Sequence, residues 1–101
     1  MAAEEFAHPP SSDRSFKAFL DALPDILVAR DFRRVVSAIV KAARTQRGVV
    51  LMLGGHVVKT GLSPVIIELM RRKVVTHLAM NGSAAIHDYE VARFGATSED
   101  V

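Results

Sequence analysis

The sequence has no cysteine and no tryptophan, and only 6% of its residues are aromatic. Without cysteine the chain can form no disulfide, no thiolate metal site and no thiol nucleophile. The few aromatic rings leave little material for stacking nucleic-acid bases. The longest apolar run, Val49 to Leu53 between glycines, is far shorter than the roughly 20 residues of a membrane-spanning helix. We therefore expect no membrane partner.

What remains is a chain of 101 residues that is 50% hydrophobic and 24% charged, with a formal charge of +2. This length allows one small domain, and this composition is typical of a folded one. The N-terminus is acidic and lacks the basic and apolar segments of a signal peptide. We therefore predict a cytoplasmic protein.

Two amphipathic helices are predicted in the first half of the chain. Residues 1–11 contain a Pro-Pro pair and no apolar period, which predicts a flexible N-terminus ahead of a domain at 12–101. The first helix is capped by Ser12 and ended by Pro24, and the second is capped by Asp31 and ends near Gly48. Apolar residues three or four positions apart predict a buried stripe on each helix. These stripes are Phe16, Phe19, Leu20 and Leu23 in the first helix, and Phe32, Val35, Val36, Ile39, Val40 and Ala43 in the second.

Strands and helices are predicted to alternate in the second half. Val49 to Leu53 is β-branched and continuously apolar, which is typical of a parallel strand buried on both faces. A helix opened by Ser63 and Pro64 follows, then a strand from Val74 to Met80 and a helix from Ala84 to Phe94. Gly95 is the predicted stop of the last helix. This order predicts an α/β fold with a parallel βαβ unit and a right-handed crossover, preceded by two helices.

Two strands are too few for a stable parallel sheet. Such sheets are normally covered on both faces and have more than two members. We therefore expect the sheet to be completed by the rest of a larger α/β domain or by another subunit of an oligomer.

Two segments that contain glycine follow the predicted strands, one from Gly54 to Gly61 and one from Asn81 to Asp88. Ligands of open α/β sheets bind beyond the carboxyl ends of the strands, where adjacent parallel strands bring such segments side by side. Free N–H groups at helix starts favour phosphate, so a nucleotide crevice is one interpretation. Glycine that serves turn geometry alone is the other, and the residues favour neither. Neither the P-loop pattern nor G-x-G-x-x-G is present.

Other candidate sites have weaker support. The spacing of the four histidines matches no zinc motif, and we predict no metal ligand. His87 and Asp88 open a helix beside the expected crevice and could hold a substrate amine or hydroxyl, although Asp88 could equally serve to complement the helix dipole. The basic residues are spread over helix faces without interleaved aromatics, so nucleic-acid binding is not expected. No serine can be assigned to a Ser-His-Asp set.

The order and spacing of three segments match those of three motifs of a known family. The segments are Gly54 to Leu62, Leu69 to Val75 and Met80 to Ala84. Those motifs are T-x-N-L-x-S-S-G, a basic or polar helix end followed by V-D, and T-T-x-G-G. Archaeal members also carry an H-D pair at the position of His87 and Asp88. From Gly48 to about Gly95 the chain therefore resembles deoxyhypusine synthase and its bacterial relatives.

The resemblance implies the N-terminal portion of a Rossmann-like three-layer fold, bound NAD and a homotetramer. The family transfers the aminobutyl group of spermidine to a protein lysine, and its imine-forming lysine lies in a part of the fold beyond Val101. The resemblance thus implies a chain without a catalytic residue that is inactive alone, with a polyamine or another amine as substrate. The implied NAD-binding residues are Gly55, His56, Val57, Val58, Lys59, Asn81, Gly82 and Ser83, and the implied substrate-binding residues are His87 and Asp88.

A second interpretation is a non-enzymatic α/β interaction module that acts within an oligomer. It would use the basic faces of the helices rather than the expected crevice. The two interpretations differ in one observable property, because only the first requires saturable binding of NAD.

Overall fold

The computed structural model describes residues 1–99. The chain divides into two compact units, Met1–Ala38 and Ile39–Val101, and one helix runs across the division. No helix among residues 1–99 is long and apolar enough to cross a membrane. The predicted α/β class is confirmed by helices combined with a parallel sheet. After a short 3-10 helix at Ala3–Glu5, the elements are α1 (Phe16–Ala22), α2 (Val28–Arg44), β1 (Val50–Leu53), α3 (Gly55–Lys59), α4 (Ser63–Arg71), β2 (His77–Met80) and α5 (Gly82–Phe94).

The two predicted helices of the first unit are present, but their starts differ from prediction. Ser15, not Ser12, caps α1, because its hydroxyl accepts a hydrogen bond from the N–H of Ala18 at 3.1 Å. The helix ends before Pro24, as predicted. The prediction that Asp31 caps the second helix is wrong, since α2 already begins at Val28.

Specific hydrogen bonds involve the N-terminal residues of the first unit. The carbonyl of Glu5 accepts from the N–H of Asp25 at 2.9 Å, and the N–H of His8 donates to the carbonyl of Ala22 at 2.9 Å. The Glu5 carboxylate also forms an ion pair with Arg30. The flexibility of residues 1–11 stays a prediction, and these three contacts oppose it.

The sheet of the second unit has two parallel strands, as predicted. Val50 is aligned with His77, and Leu53 is aligned with Met80. The second strand is shorter than predicted because Val74 and Val75 donate their N–H groups to the carbonyl of Leu69, at 2.9 and 3.3 Å. These bonds close the end of α4, and β2 begins only after them.

The helices of the second unit follow the predicted order, with one addition. The segment after β1, predicted to be a loop, forms the short helix α3 from Gly55 to Lys59. Pro64 lies in the first turn of α4, as expected, although Leu62 rather than Ser63 is the capping residue. Gly95 ends α5 in the left-handed conformation that glycine favours, at φ 77°.

Burial is much lower than the apolar patterns predict. Among residues 1–99, the buried hydrophobic residues are Val75 and Ala84. The predicted burial of both helical stripes is wrong, since Phe16 is 74% exposed in the first and Val35 is 57% exposed in the second. Burial of the first strand on both faces is also wrong, because Met52 is 79% exposed. Val50 and Met52 lie on one face of the sheet, since side chains alternate along a strand, and both are exposed while Leu51 and Leu53 on the other face are half-buried.

Candidate functional site

The carboxyl ends of both strands lie at the same edge of the sheet. Their last residues, Leu53 and Met80, are aligned, so the segments that begin with Gly54 and Asn81 lie side by side, as predicted. A Cβ added to Gly54 would lie 3.5 Å from Nδ2 of Asn81. This edge is where ligands of α/β sheets bind, and it is the candidate site.

Both segments start a helix at this edge. The side chain of Asn81 caps α5 by accepting a hydrogen bond from the N–H of Ala84 at 3.0 Å. The first N–H groups of a helix have no partner within the helix. Among residues 1–99, no hydrogen bond engages the N–H groups of Gly82 and Ser83 at the start of α5. These two donors are the groups that an anion could bind here.

The two glycines that open α3 and α5 have different surroundings. A Cβ on Gly55 would lie 2.1 Å from Oγ and 3.0 Å from Cβ of Ser83, and 3.2 Å from Cδ2 of His87. Glycine at position 55 is therefore required by the close packing of α3 on α5. A Cβ on Gly82 would meet no atom within 4 Å. Packing of α3 on α5 therefore accounts for Gly55, which is a different reason from both a nucleotide crevice and turn geometry, while Gly82 faces open space.

The cavity at this edge is shallow and uncharged. Its volume is about 410 Å³. A larger cavity of about 730 Å³ lies in the first unit, along residues from Ala7 to Leu23, and no sequence pattern predicted it. The smaller cavity is lined by Met52, Leu53, Gly54, Ala79, Met80 and Asn81.

His87, predicted to contact substrate, lies inside the second unit. It is 5% exposed, and its Nδ1 lies 2.9 Å from Oε2 of Glu90. The same Glu90 oxygen accepts from the N–H of Ser98 at 3.0 Å. The hydrogen bonds from Ser98 and from His87 lower the pKa of Glu90 to about 2. Asp88, in contrast, is exposed to solvent.

Glu90 is a site residue that the sequence analysis missed. Its position three residues after His87 places both side chains on one face of α5, and this spacing could have identified the pair. The pairing of Ser98 with Glu90 depends on how the chain continues after Gly95, and no local pattern predicts it.

Lys59, a predicted NAD-binding residue, is already paired. Its ammonium forms an ion pair with Glu99, and its side chain is only 9% exposed. The contact lowers the pKa of the Glu99 carboxyl. A phosphate at Lys59 would therefore have to compete with this carboxylate. The neighbouring His56 is exposed, and Val57 and Val58 are half-buried.

No protein-family model matches the chain, and comparisons with curated proteins and with solved structures found no match. The resemblance to deoxyhypusine synthase therefore rests on the motifs of the sequence alone. The predicted roles of the residues in NAD and substrate binding stay predictions.

Proposed function

We propose that this chain is the NAD-binding portion of a deoxyhypusine-synthase-like transferase and does not transfer an aminobutyl group by itself. In this proposal its two strands belong to a Rossmann-like sheet that further elements complete. The observation that supports it is the register of β1 and β2, which brings the segments starting at Gly54 and Asn81 to one edge.

The dinucleotide would bind through its pyrophosphate at the start of α5. The free N–H groups of Gly82 and Ser83, together with the positive end of the helix dipole, favour a phosphate there. Gly82 has room for such a ligand, since apart from its own helix and chain neighbours no atom lies within 4 Å of its Cβ position. The amine end of the second substrate would pair with exposed Asp88, because the carboxylate of Glu90 is already bonded to Ser98 and His87.

Titration of NAD into the folded, ¹⁵N-labelled protein tests this function. We expect saturable binding, with shifts of the amide signals of residues 54–59 and 81–83. Gly82→Val fills the open space with a branched side chain and should abolish binding while the helix content in circular dichroism is kept. Ala92→Val, on an exposed part of the same helix, should bind NAD like the wild type.

Two results would contradict the proposal. One is the absence of saturable NAD binding in a sample that circular dichroism shows to be folded. The other is an affinity of Gly82→Val equal to that of the Ala92→Val control.

The second candidate function is an α/β interaction module that acts within an oligomer. The observation that favours it is the uncovered apolar surface of the sheet, where Val50 is 59% exposed and Met52 is 79% exposed. Exposed apolar patches on a folded chain are typical of interaction sites. This function predicts self-association or partner binding without any affinity for NAD.

A further inference from the structure

One edge of β1 has no partner in residues 1–99, since β1 pairs with β2 alone. The carbonyl of Val49 accepts from the N–H of His77 at 3.2 Å, so this carbonyl is directed towards β2. Successive residues of a strand direct their backbone groups to opposite edges. The N–H and C=O groups of Val50 and Met52 therefore face the free edge.

The free edge of β1 has none of the usual protection against strand pairing. Edge strands commonly carry charged residues or proline, which block the addition of another strand. The segment from Gly48 to Gly55 contains neither. Its continuous apolar run is typical of a central strand, whereas β2 is preceded by Thr76 and begins with His77, which suit an outer strand.

The side chains of the same strand are exposed as well. Val50 is 59% exposed and Met52 is 79% exposed. An exposed apolar edge strand is a template for pairing with another chain, and an exposed apolar patch is typical of an interaction surface.

We propose that two copies of this chain join the free edges of β1 in antiparallel orientation around a two-fold axis. The resulting sheet has four strands in the order β2-β1-β1-β2. This inference rests on the second candidate function and names its partner as a second copy. An uncharged strand meets no like-charge repulsion from its own copy, and a two-fold axis makes the contact self-complementary and closed.

The backbone geometry restricts the register of this contact, because the residues with outward backbone groups must exchange hydrogen bonds. In the proposed register Val50 of one copy pairs with the partner's Met52, so that both outward residues of β1 are paired within the strand. Leu51 then lies opposite the partner's Leu51 in a pair without hydrogen bonds. The Cα atoms of such pairs are about 4.5 Å apart, which lies within the range that a disulfide spans.

Disulfide trapping tests the contact. Because the chain has no native cysteine, an introduced cysteine can form a disulfide only with the same residue of a second copy. We expect oxidised Leu51→Cys to yield a covalent dimer of twice the 11.0 kDa chain mass. The matched variant Leu78→Cys, on β2, should remain monomeric under the same conditions. Sedimentation velocity of the wild-type chain should show a dimer that dissociates on dilution.

Proline variants test the same edge independently. Met52→Pro removes an outward N–H and should abolish the dimer. Met80→Pro removes the equivalent outward N–H of β2 and should keep it, because the free edge of β2 lies away from the contact. Circular dichroism shows whether each variant is folded. If Met52→Pro does not fold, the disulfide experiment alone tests the contact.

Different outcomes separate this inference from the second candidate function, on which it rests. A wild-type chain that is monomeric at all concentrations overturns the inference. A wild-type dimer in which Leu78→Cys is trapped and Leu51→Cys is not also overturns it, but leaves the interaction-module function standing. NAD binding is measured separately and is not affected by either result.

Discussion

Gly55→Ala tests the close packing that positions the candidate site. The added methyl group would lie 2.1 Å from Oγ of Ser83, and 3.0 Å from its Cβ. The hydroxyl of Ser83 can rotate away, but its Cβ can move only if the backbone of α3 or α5 shifts. Gly82→Ala is a matched control, because Gly82 is also the first residue of its helix and its Cβ position is open.

The expected loss of stability combines two opposing effects. Overpacking costs about 1–3 kcal/mol, while replacing glycine by alanine in a helix gains up to about 1 kcal/mol. The gain is common to both variants, since each glycine is the first residue of its helix. We therefore expect Gly55→Ala to be about 1–3 kcal/mol less stable than Gly82→Ala, which is the cost of overpacking. Gly82→Ala should leave the free energy of unfolding unchanged or raise it by up to about 1 kcal/mol.

Urea denaturation followed by circular dichroism measures this difference. In the double variant Gly55→Ala with Ser83→Gly, the obstructing side chain is gone. Its loss of stability should therefore be about 1 kcal/mol smaller than the sum of the losses of the two single variants. If Gly55→Ala is as stable as Gly82→Ala, α3 does not pack closely on α5, and the geometry derived for the candidate site is wrong.

Two further predictions concern α5. The folded pKa of Glu90, about 2, lies below its ordinary value of 4.5, so Glu90 stabilises the fold above pH 4.5 and this contribution is lost as the pH falls towards 2. Glu90→Gln should therefore reduce the loss of stability between pH 4.5 and pH 2 in acid titrations, and an unchanged profile would contradict the bond to Ser98. Asn81→Ala removes the cap on Ala84 and should cost about 1 kcal/mol in urea denaturation, whereas no change would show that the cap is absent.

The elements of the second unit were largely predictable because their signals are local. A β-branched apolar run predicts β1. Asn81 marks the start of α5 because its side chain caps the helix, and Gly95 marks its end because glycine favours the left-handed conformation. Parallel pairing follows from the order of the elements. The short helix α3 was missed, because its five residues are bounded by no capping side chain.

Burial and the contacts of the site were not predictable from local patterns. An apolar stripe shows which face can be covered, but not whether this chain supplies the cover, and Phe16 and Met52 remain exposed. The ion pair of Lys59 with Glu99 joins residues 40 positions apart. The role of Gly55 depends on Ser83, a residue on another helix, so only the packed structure distinguishes a glycine that permits packing from one that admits a ligand.

The spatial proximity of the segments after β1 and β2 is the observation that supports the proposed NAD site, and nuclear Overhauser spectroscopy of the labelled protein measures it directly. We expect cross-peaks between Gly54 and Asn81 and between Gly55 and Ser83, together with the pattern of parallel strands between Met52 and Ala79. An antiparallel pattern, or no cross-peak between the two segments in a folded sample, would contradict the arrangement from which the NAD site is derived.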